Sequence, residues 1–175
     1  FAGQYIDFQY NGAYGKSFKD KGVEVLWVQN SSPAKYAGLK EGCIITKING
    51  TKINSINDLH FTQMSLLSKS IIEYTIIDES GTEKEILVLS DVRKEYPGYD
   101  FYKKSSVANS IYPLFGMKLK NVSSFFGNKY IVDSVVKGSI ADESGFSELD
   151  PVKIYRTYLS PDEDILFAEI YSKPE

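Results

Sequence analysis

Ser32-Pro-Ala-Lys-Tyr-Ala-Gly-Leu-Lys-Glu-Gly-Cys-Ile-Ile-Thr-Lys-Ile-Asn-Gly50 decides how the rest of the chain is read. Ser32 stands where a hydroxyl can accept a free backbone N–H at a helix start. Pro33 follows at the first helical position, where its missing N–H costs nothing. Gly38 supplies the left-handed residue that stops so short a helix, and Leu39 the apolar contact that accompanies such a stop. Beyond it, Ile44 to Ile48 and Thr51 to Ile53 flank Asn49-Gly50, a pair that tolerates the positive φ of a type I′ turn and predicts a hairpin.

The same pattern returns 107 residues later, in Tyr130-Ile-Val-Asp-Ser-Val-Val-Lys-Gly-Ser-Ile-Ala-Asp-Glu-Ser-Gly-Phe146. Val25 falls on Val132, Val28 on Val135, Ser32 on Ser139, Ala34 on Ala141, Gly38 on Gly145 and Leu39 on Phe146. An internal repeat of this length implies two similar domains. Asp142, three residues after Ser139, resembles half of a capping box and favours the positive helix end.

Around the first copy, Ile56, Leu59, Gln63 and Leu66 share one face of an amphipathic helix expected within 55–69, with Asp58 near its start. Ser70 to Asp78 and Thr82 to Leu89 read as strands about the turn sequence Glu79-Ser80-Gly81. The first copy is thus strand, strand, short helix, strand, strand, helix, hairpin. The expected fold class is mainly β with short helices, in two tandem partly open barrels or sandwiches. The second copy departs from this order. Leu149-Asp150-Pro151 stands where the first has Gly42-Cys43-Ile44, and no clear helix follows. Ser160-Pro-Asp-Glu begins like a helix, whereas Ile165 to Tyr171 is aromatic and β-branched; strand is the preferred reading. The expected domains are residues 1–94 and 111–175, the second divergent and either reduced in its second half or cut off before it ends, with a tyrosine-rich linker over 95–110.

Composition narrows the function classes. Of 175 residues, 42% are apolar and 25% charged, a balance suited to a folded globular chain. The net charge of −3 and the lack of a Lys/Arg stripe argue against a nucleic-acid partner. No apolar run approaches the ~20 residues that cross a bilayer. Beginning at Phe1, the sequence reads as a piece of a longer protein.

The segment from Ser32 to Gly50 resembles the PDZ family in its bacterial, circularly permuted form, through Ser-Pro-Ala, Ala-Gly-Leu and Asn-Gly, and Asp58-Leu59 is similar to the pair that opens that family's groove helix. The resemblance covers residues 4–92 and, more loosely, 111–155. Two such domains in series look most like the C-terminal region of an HtrA/Deg-type trypsin-like serine protease. The resemblance implies an extracytoplasmic location and partners that are peptide or unfolded-protein segments, an attached or associated protease domain, and further copies of the chain.

It also implies where peptide binds. PDZ domains add an extended segment to a strand edge beside a helix and hold a terminal carboxylate on backbone N–H groups of an apolar-Gly-apolar loop. Leu114-Phe115-Gly116-Met117 fits that loop in the second copy. With a two-residue difference in loop length, Tyr5-Ile6-Asp7-Phe8 is its expected counterpart, with Asp7 in the glycine's place. An acid there would repel a ligand carboxylate by ~1–4 kcal/mol at about 4 Å. The first copy is therefore expected to prefer internal segments to free C-termini. On the groove helix, His60, Met64 and Leu67 share a face apart from the core face. His60 reads first as a half-exposed surface histidine and second as a reader of a ligand hydroxyl, while Met64 divides evenly between groove and core.

No catalytic arrangement is positioned by the sequence: Ser and Lys are plentiful enough for a Ser–Lys pair, but nothing places one beside the other. His60 is the only histidine, lies on an expected helix and has no nucleophile elbow to serve. Gly15-Lys16-Ser17 mimics the end of a phosphate loop without the rest of that motif. One His and one Cys cannot make a zinc site, and Asp162-Glu163-Asp164 lacks calcium-loop spacing, so neither metal nor cofactor is expected. Cys43 reads as a small buried apolar residue. Two functions remain: recruitment of substrate to, or regulation of, a serine protease, and a non-catalytic scaffold.

Overall fold

The computed structural model describes residues 11–92, 107–122, 129–160 and 165–172. The chain divides into two compact units, Ala2–Glu95 and, with Phe1, Tyr96–Glu175. Both are mostly β, each built on one antiparallel sheet, and neither sheet closes into a barrel among the described strands.

In the first unit, β1 (Ala13–Ser17), β2 (Val23–Val28), β3 (Ile44–Ile48), β5 (Ile71–Ile77) and β6 (Glu83–Leu89) lie in that spatial order, with β4 (Thr51–Lys52) hairpinned onto β3. Asn49 and Gly50 both take positive φ, 46° and 75°, as a type I′ turn requires. Helix α1 (Pro33–Tyr36) is capped by Ser32, whose Oγ accepts from the Lys35 N–H at 3.2 Å. Helix α2 (Ile56–Met64) buries Leu59 and Gln63, with Ile56 partly buried on the same face and Leu66, just past the helix end, partly buried against the same core. Leu59 joins Ala34, Leu39, Ile72 and Tyr74 in one core cluster, and Cys43 is a buried member of it.

The second unit has helices α3 (Val107–Phe115) and α4 (Ile140–Glu143), and a sheet ordered β10-β9-β8-β7. Its strands are β7 (Met117–Val122), β8 (Lys129–Val135), β9 (Pro151–Ser160) and β10 (Ile165–Ser172). The tail is therefore a strand. Helix α3 begins inside the stretch expected as linker; residues 93–106 lie outside the described ones. The Asp142 carboxylate accepts from the Gly138 N–H at 2.8 Å, while the Asp142 N–H reaches Ser139 Oγ at 3.3 Å.

The repeat extends to backbone detail. Val23 pairs with Ile45 and Tyr130 with Val152, positions 107 apart in both strands. The Gly42 N–H bonds to the Val25 carbonyl at 2.8 Å, and the Leu149 N–H bonds to the Val132 carbonyl at 2.9 Å. Leu149 thereby inherits a turn that the first copy builds with glycine, at φ 72° against 84° for Gly42. A Leu there carries the left-handed penalty of roughly 1–2 kcal/mol, and its side chain is 79% exposed, so little packing offsets it. Leu149→Gly is expected to stabilise the second unit by about 1 kcal/mol. A raised urea midpoint with unchanged slope is the confirming result.

Where the copies part is the end of β3. The first copy turns back at Asn49-Gly50; at the matching point the second has Arg156-Thr157, and β9 runs straight on to Ser160. β10 then takes the place of β5. Among the described residues the second unit has no counterpart of α2.

Candidate peptide-binding site

β1 and β7 are the strands beside which ligand is expected, and their registers identify the loops that precede them. Ala13 pairs with Val28 and Met117 with Val135. Both ladders then carry the same bulge, between Tyr14 and Gly15 and between Lys118 and Leu119. Ala13 and Met117 are therefore equivalent, and so are Gly12 and Gly116, an offset of 104 rather than 107. The carbonyls of Gly12 and Gly116 accept from the N–H groups of Gln29 and Val136, at 2.7 and 2.8 Å. A Cβ on Gly12 would lie 2.4 Å from Ser32 Cβ, and one on Gly116 2.2 Å from Ser139 Cβ. Each glycine is wedged against its own helix cap.

This pairing corrects the expected alignment. The counterpart of Gly116 is Gly12, not Asp7, because the first copy's strand connection is shorter, not longer. With glycine retained at that position, the argument that an acid repels free C-termini from the first copy loses its basis. Tyr5, Ile6, Asp7 and Phe8 lie outside the described residues. The lost signal was Asn11-Gly12-Ala13-Tyr14 itself, which a small Ala in the apolar position disguised.

In the second copy, Leu114 and Phe115 end α3, and Gly116, at φ 78°, donates its N–H to the Tyr112 carbonyl at 2.8 Å. Gly116 thus acts as a helix stop, with one of the N–H groups that would face a carboxylate already bonded. Met117 is buried at the start of β7.

α2 and β1 are positioned against each other at both ends. At the helix start, Ser55 Oγ accepts from the Asp58 N–H at 3.2 Å, and Asp58 Oδ2 accepts from the N–H groups of Asn54 and Ser55 at 2.9 and 3.0 Å. The first turn is then tied to the far end of β1 by the Ile56 N–H, which donates to Ser17 Oγ at 2.9 Å. At the other end, Tyr74 on β5 receives two side-chain amides. Gln63 Nε2 of α2 reaches its hydroxyl at 2.9 Å, and Asn11 Nδ2, beside Gly12, bonds to it as well. All three residues are buried. Asn11 Oδ1 and Gln63 Oε1 are buried acceptors with no partner among the described residues. Sequence reasoning missed this network, since nothing local in Asn11, Gln63 or Tyr74 marks them as neighbours.

Of the expected groove residues, His60 lies on α2 and is half-buried, and Met64 ends α2 and is 69% exposed; the helix stops short of the expected 69, so Leu67, 79% exposed, lies past its C-cap Ser65. Met64 is not core filler. Phe61, 74% exposed, adds an aromatic ring to the solvent side of α2.

The Asn54 N–H, with help from Ser55, holds the Asp58 carboxyl below its ordinary 3.8, against an opposing desolvation. Ion pairing with Lys84 does the same for Asp78, aided by the Ser80 hydroxyl and the Thr82 N–H. Carboxyls depressed on folding stabilise the fold above their unfolded value, and that stabilisation fades as pH falls through about 4 towards the folded values. The urea midpoint of the first unit is expected to hold steady above about pH 5 and drop below it. Asp78→Asn should shrink that drop; an unchanged acid profile in the variant would exclude Asp78 as a contributor.

Among the described residues no group of three or more His, Cys, Asp or Glu could hold a metal, and no helix is long and apolar enough to cross a membrane.

A family model described as PDZ domain matches residues 7–77. A second, described as TP0546 family PDZ domain, matches residues 98–175. No match was found among curated proteins. Among solved structures, the HtrA-type protease AlgW with a decapeptide is similar over 51% of this chain at 16% identity and a TM-score of 0.45. That similarity spans 30% of the AlgW chain.

Proposed function

We propose, from the premise that this chain is two PDZ domains in tandem, that its first domain captures an extended peptide segment and delivers it to a trypsin-like serine protease. PDZ domains bind peptides or protein partners and are not themselves catalytic. The observation that carries the peptide reading is the position of β1: it ends the sheet, pairs only with β2 among the described strands, and is tied to α2 through Ser17 and Ile56. An edge strand beside a helix is the arrangement that β-augmentation uses. Backbone pairing would supply affinity, and the α2 side facing β1 would supply selection. His60, Met64 and Leu67 are the candidates for that selection.

The protease assignment rests on two such domains in series. On that reading the parent protein would lie outside the cytoplasm, and bound peptide would bias the protease or its assembly into an oligomer. Sequencing the region that precedes this chain tests it, and a parent lacking a trypsin-like domain sinks it. A second reading, a scaffold that binds partner proteins, is favoured by the second domain, where no groove helix is found among the described residues.

Peptide capture is tested with a library of extended decapeptides, each as free acid and as amide. With Gly12 retained, free acids are expected to bind the first domain at least as well as amides. Met64→Glu, which changes an exposed side chain, should weaken the tightest binders about tenfold, ~1.4 kcal/mol. Binding untouched by Met64→Glu and by His60→Ala would remove α2 from the site.

A further inference from the structure

The second domain contains a cleft of about 250 Å³ lined by Phe115, Met117, Ile140, Ala141, Phe146, Ala168 and Ile170, with Ser144 at its rim. Its place in the fold is defined by the first domain. Phe115 corresponds to Asn11, Ala141 to Ala34 and Phe146 to Leu39. Ile45 pairs with Ile76 and its counterpart Val152 with Ser172, so Tyr74 and Ile72 correspond to Ile170 and Ala168, the next inward positions along each strand. In the first domain this same set meets α2. Gln63 lies on Tyr74 beside Asn11, and Leu59 shares a cluster with Ala34, Leu39 and Ile72. The cleft is the seat of a helix that has no counterpart among the described residues of the second domain.

We propose that this cleft receives an amphipathic α-helix supplied by a partner protein, which completes the second domain as α2 completes the first. The occupant is specified by the residues that changed. Where Gln63 finds the polar pair Asn11 and Tyr74, an incoming side chain finds Phe115 and Ile170, both apolar. A polar side chain there would lose its hydrogen bonds to water without replacement. The partner helix therefore carries apolar residues at all four positions equivalent to 56, 59, 63 and 66, with Leu or Met in place of Gln63. An apolar cavity of roughly 150 Å³ holds one benzene-sized group, so this cleft has room for side chains from about two successive turns. The proposal is independent of peptide capture by the first domain.

The probe is a fluorescent peptide of residues 54–68 of this chain carrying Gln63→Leu, titrated into the full chain and followed by anisotropy, with NMR shifts reporting its conformation. Expected are saturable one-to-one binding, gain of helix on binding, and affinity at least about tenfold above that of the unmodified peptide. Ala168→Phe, which fills the cleft, and Ser144→Arg, at its exposed rim, should each weaken binding about tenfold or more. Ser144→Arg leaves the core untouched and keeps the test valid if Ala168→Phe fails to fold. The proposal is overturned if neither peptide binds the folded chain, if binding survives both variants, or if the bound peptide is extended. Closure of the cleft by self-association of the chain, seen as concentration-dependent dimerisation that Ser144→Arg abolishes, overturns it equally.

Discussion

Gly12→Ala is expected to destabilise the first domain by roughly 2–5 kcal/mol, enough to unfold much of it. Two costs combine. At φ 70° a Cβ carries the left-handed penalty of roughly 1–2 kcal/mol. The new methyl would also sit 2.4 Å from Ser32 Cβ. That atom cannot rotate away, because Ser32 caps α1 and its hydroxyl donates to the Gln29 carbonyl at 2.7 Å. Something in the loop or the cap must move, and overpacking of this kind costs about 1–3 kcal/mol. Gly116→Ala should behave alike in the second domain, at φ 78° with Ser139 Cβ at 2.2 Å. Gly38→Ala separates the two costs: its φ is 84°, yet nothing lies within 4 Å. It is expected to lose only about 1–2 kcal/mol. Equal losses at Gly12 and Gly38 in urea melts would show that the wedge against Ser32 contributes nothing.

Tyr74→Phe removes one oxygen and is expected to cost about 2–5 kcal/mol, more than the usual loss of a single hydrogen bond. The hydroxyl receives amides from both Asn11 and Gln63, and both residues are buried. Without it two buried donors lose their partner, at roughly 1–3 kcal/mol each. Gln63→Leu offers the contrast. It deletes one of those amides along with its unmatched Oε1, so its cost should be smaller, and in Tyr74→Phe/Gln63→Leu the losses should fall short of their sum. A strictly additive double mutant would show that the amide and the hydroxyl do not act as one network. Because Asn11 adjoins Gly12 and Gln63 lies on α2, Tyr74→Phe should also reduce peptide affinity while Leu149→Gly leaves it unchanged.

What could be read in the chain was whatever depends on near neighbours. Ser32 and Ser139 cap helices, Asn49-Gly50 turns a hairpin, and the alternation of Ile71 to Ile77 makes a strand, all through contacts within a few residues. The 107-residue repeat was legible for the same reason, since each copy restates those local needs. The α2 core face, Ile56, Leu59 and Gln63, followed from helical spacing alone. The loop before β1 did not, because locally Tyr5 to Phe8 and Asn11 to Tyr14 are both plausible, and only the pairing of Ala13 with Val28 separates them.

Two copies of one β-rich plan, the helix caps of both, and the hairpin turn and core stripe of the first were legible in the chain, because these are settled by hydrogen bonds and periodicity between near neighbours. Only the folded arrangement shows that Gly12 and Gly116 are equivalent, that Asn11 and Gln63 meet at Tyr74, and that a cleft in the second domain matches the seat of α2 in the first. Each of those facts joins residues far apart in the chain, and distance between strands is fixed by sheet register and packing, which no local pattern encodes.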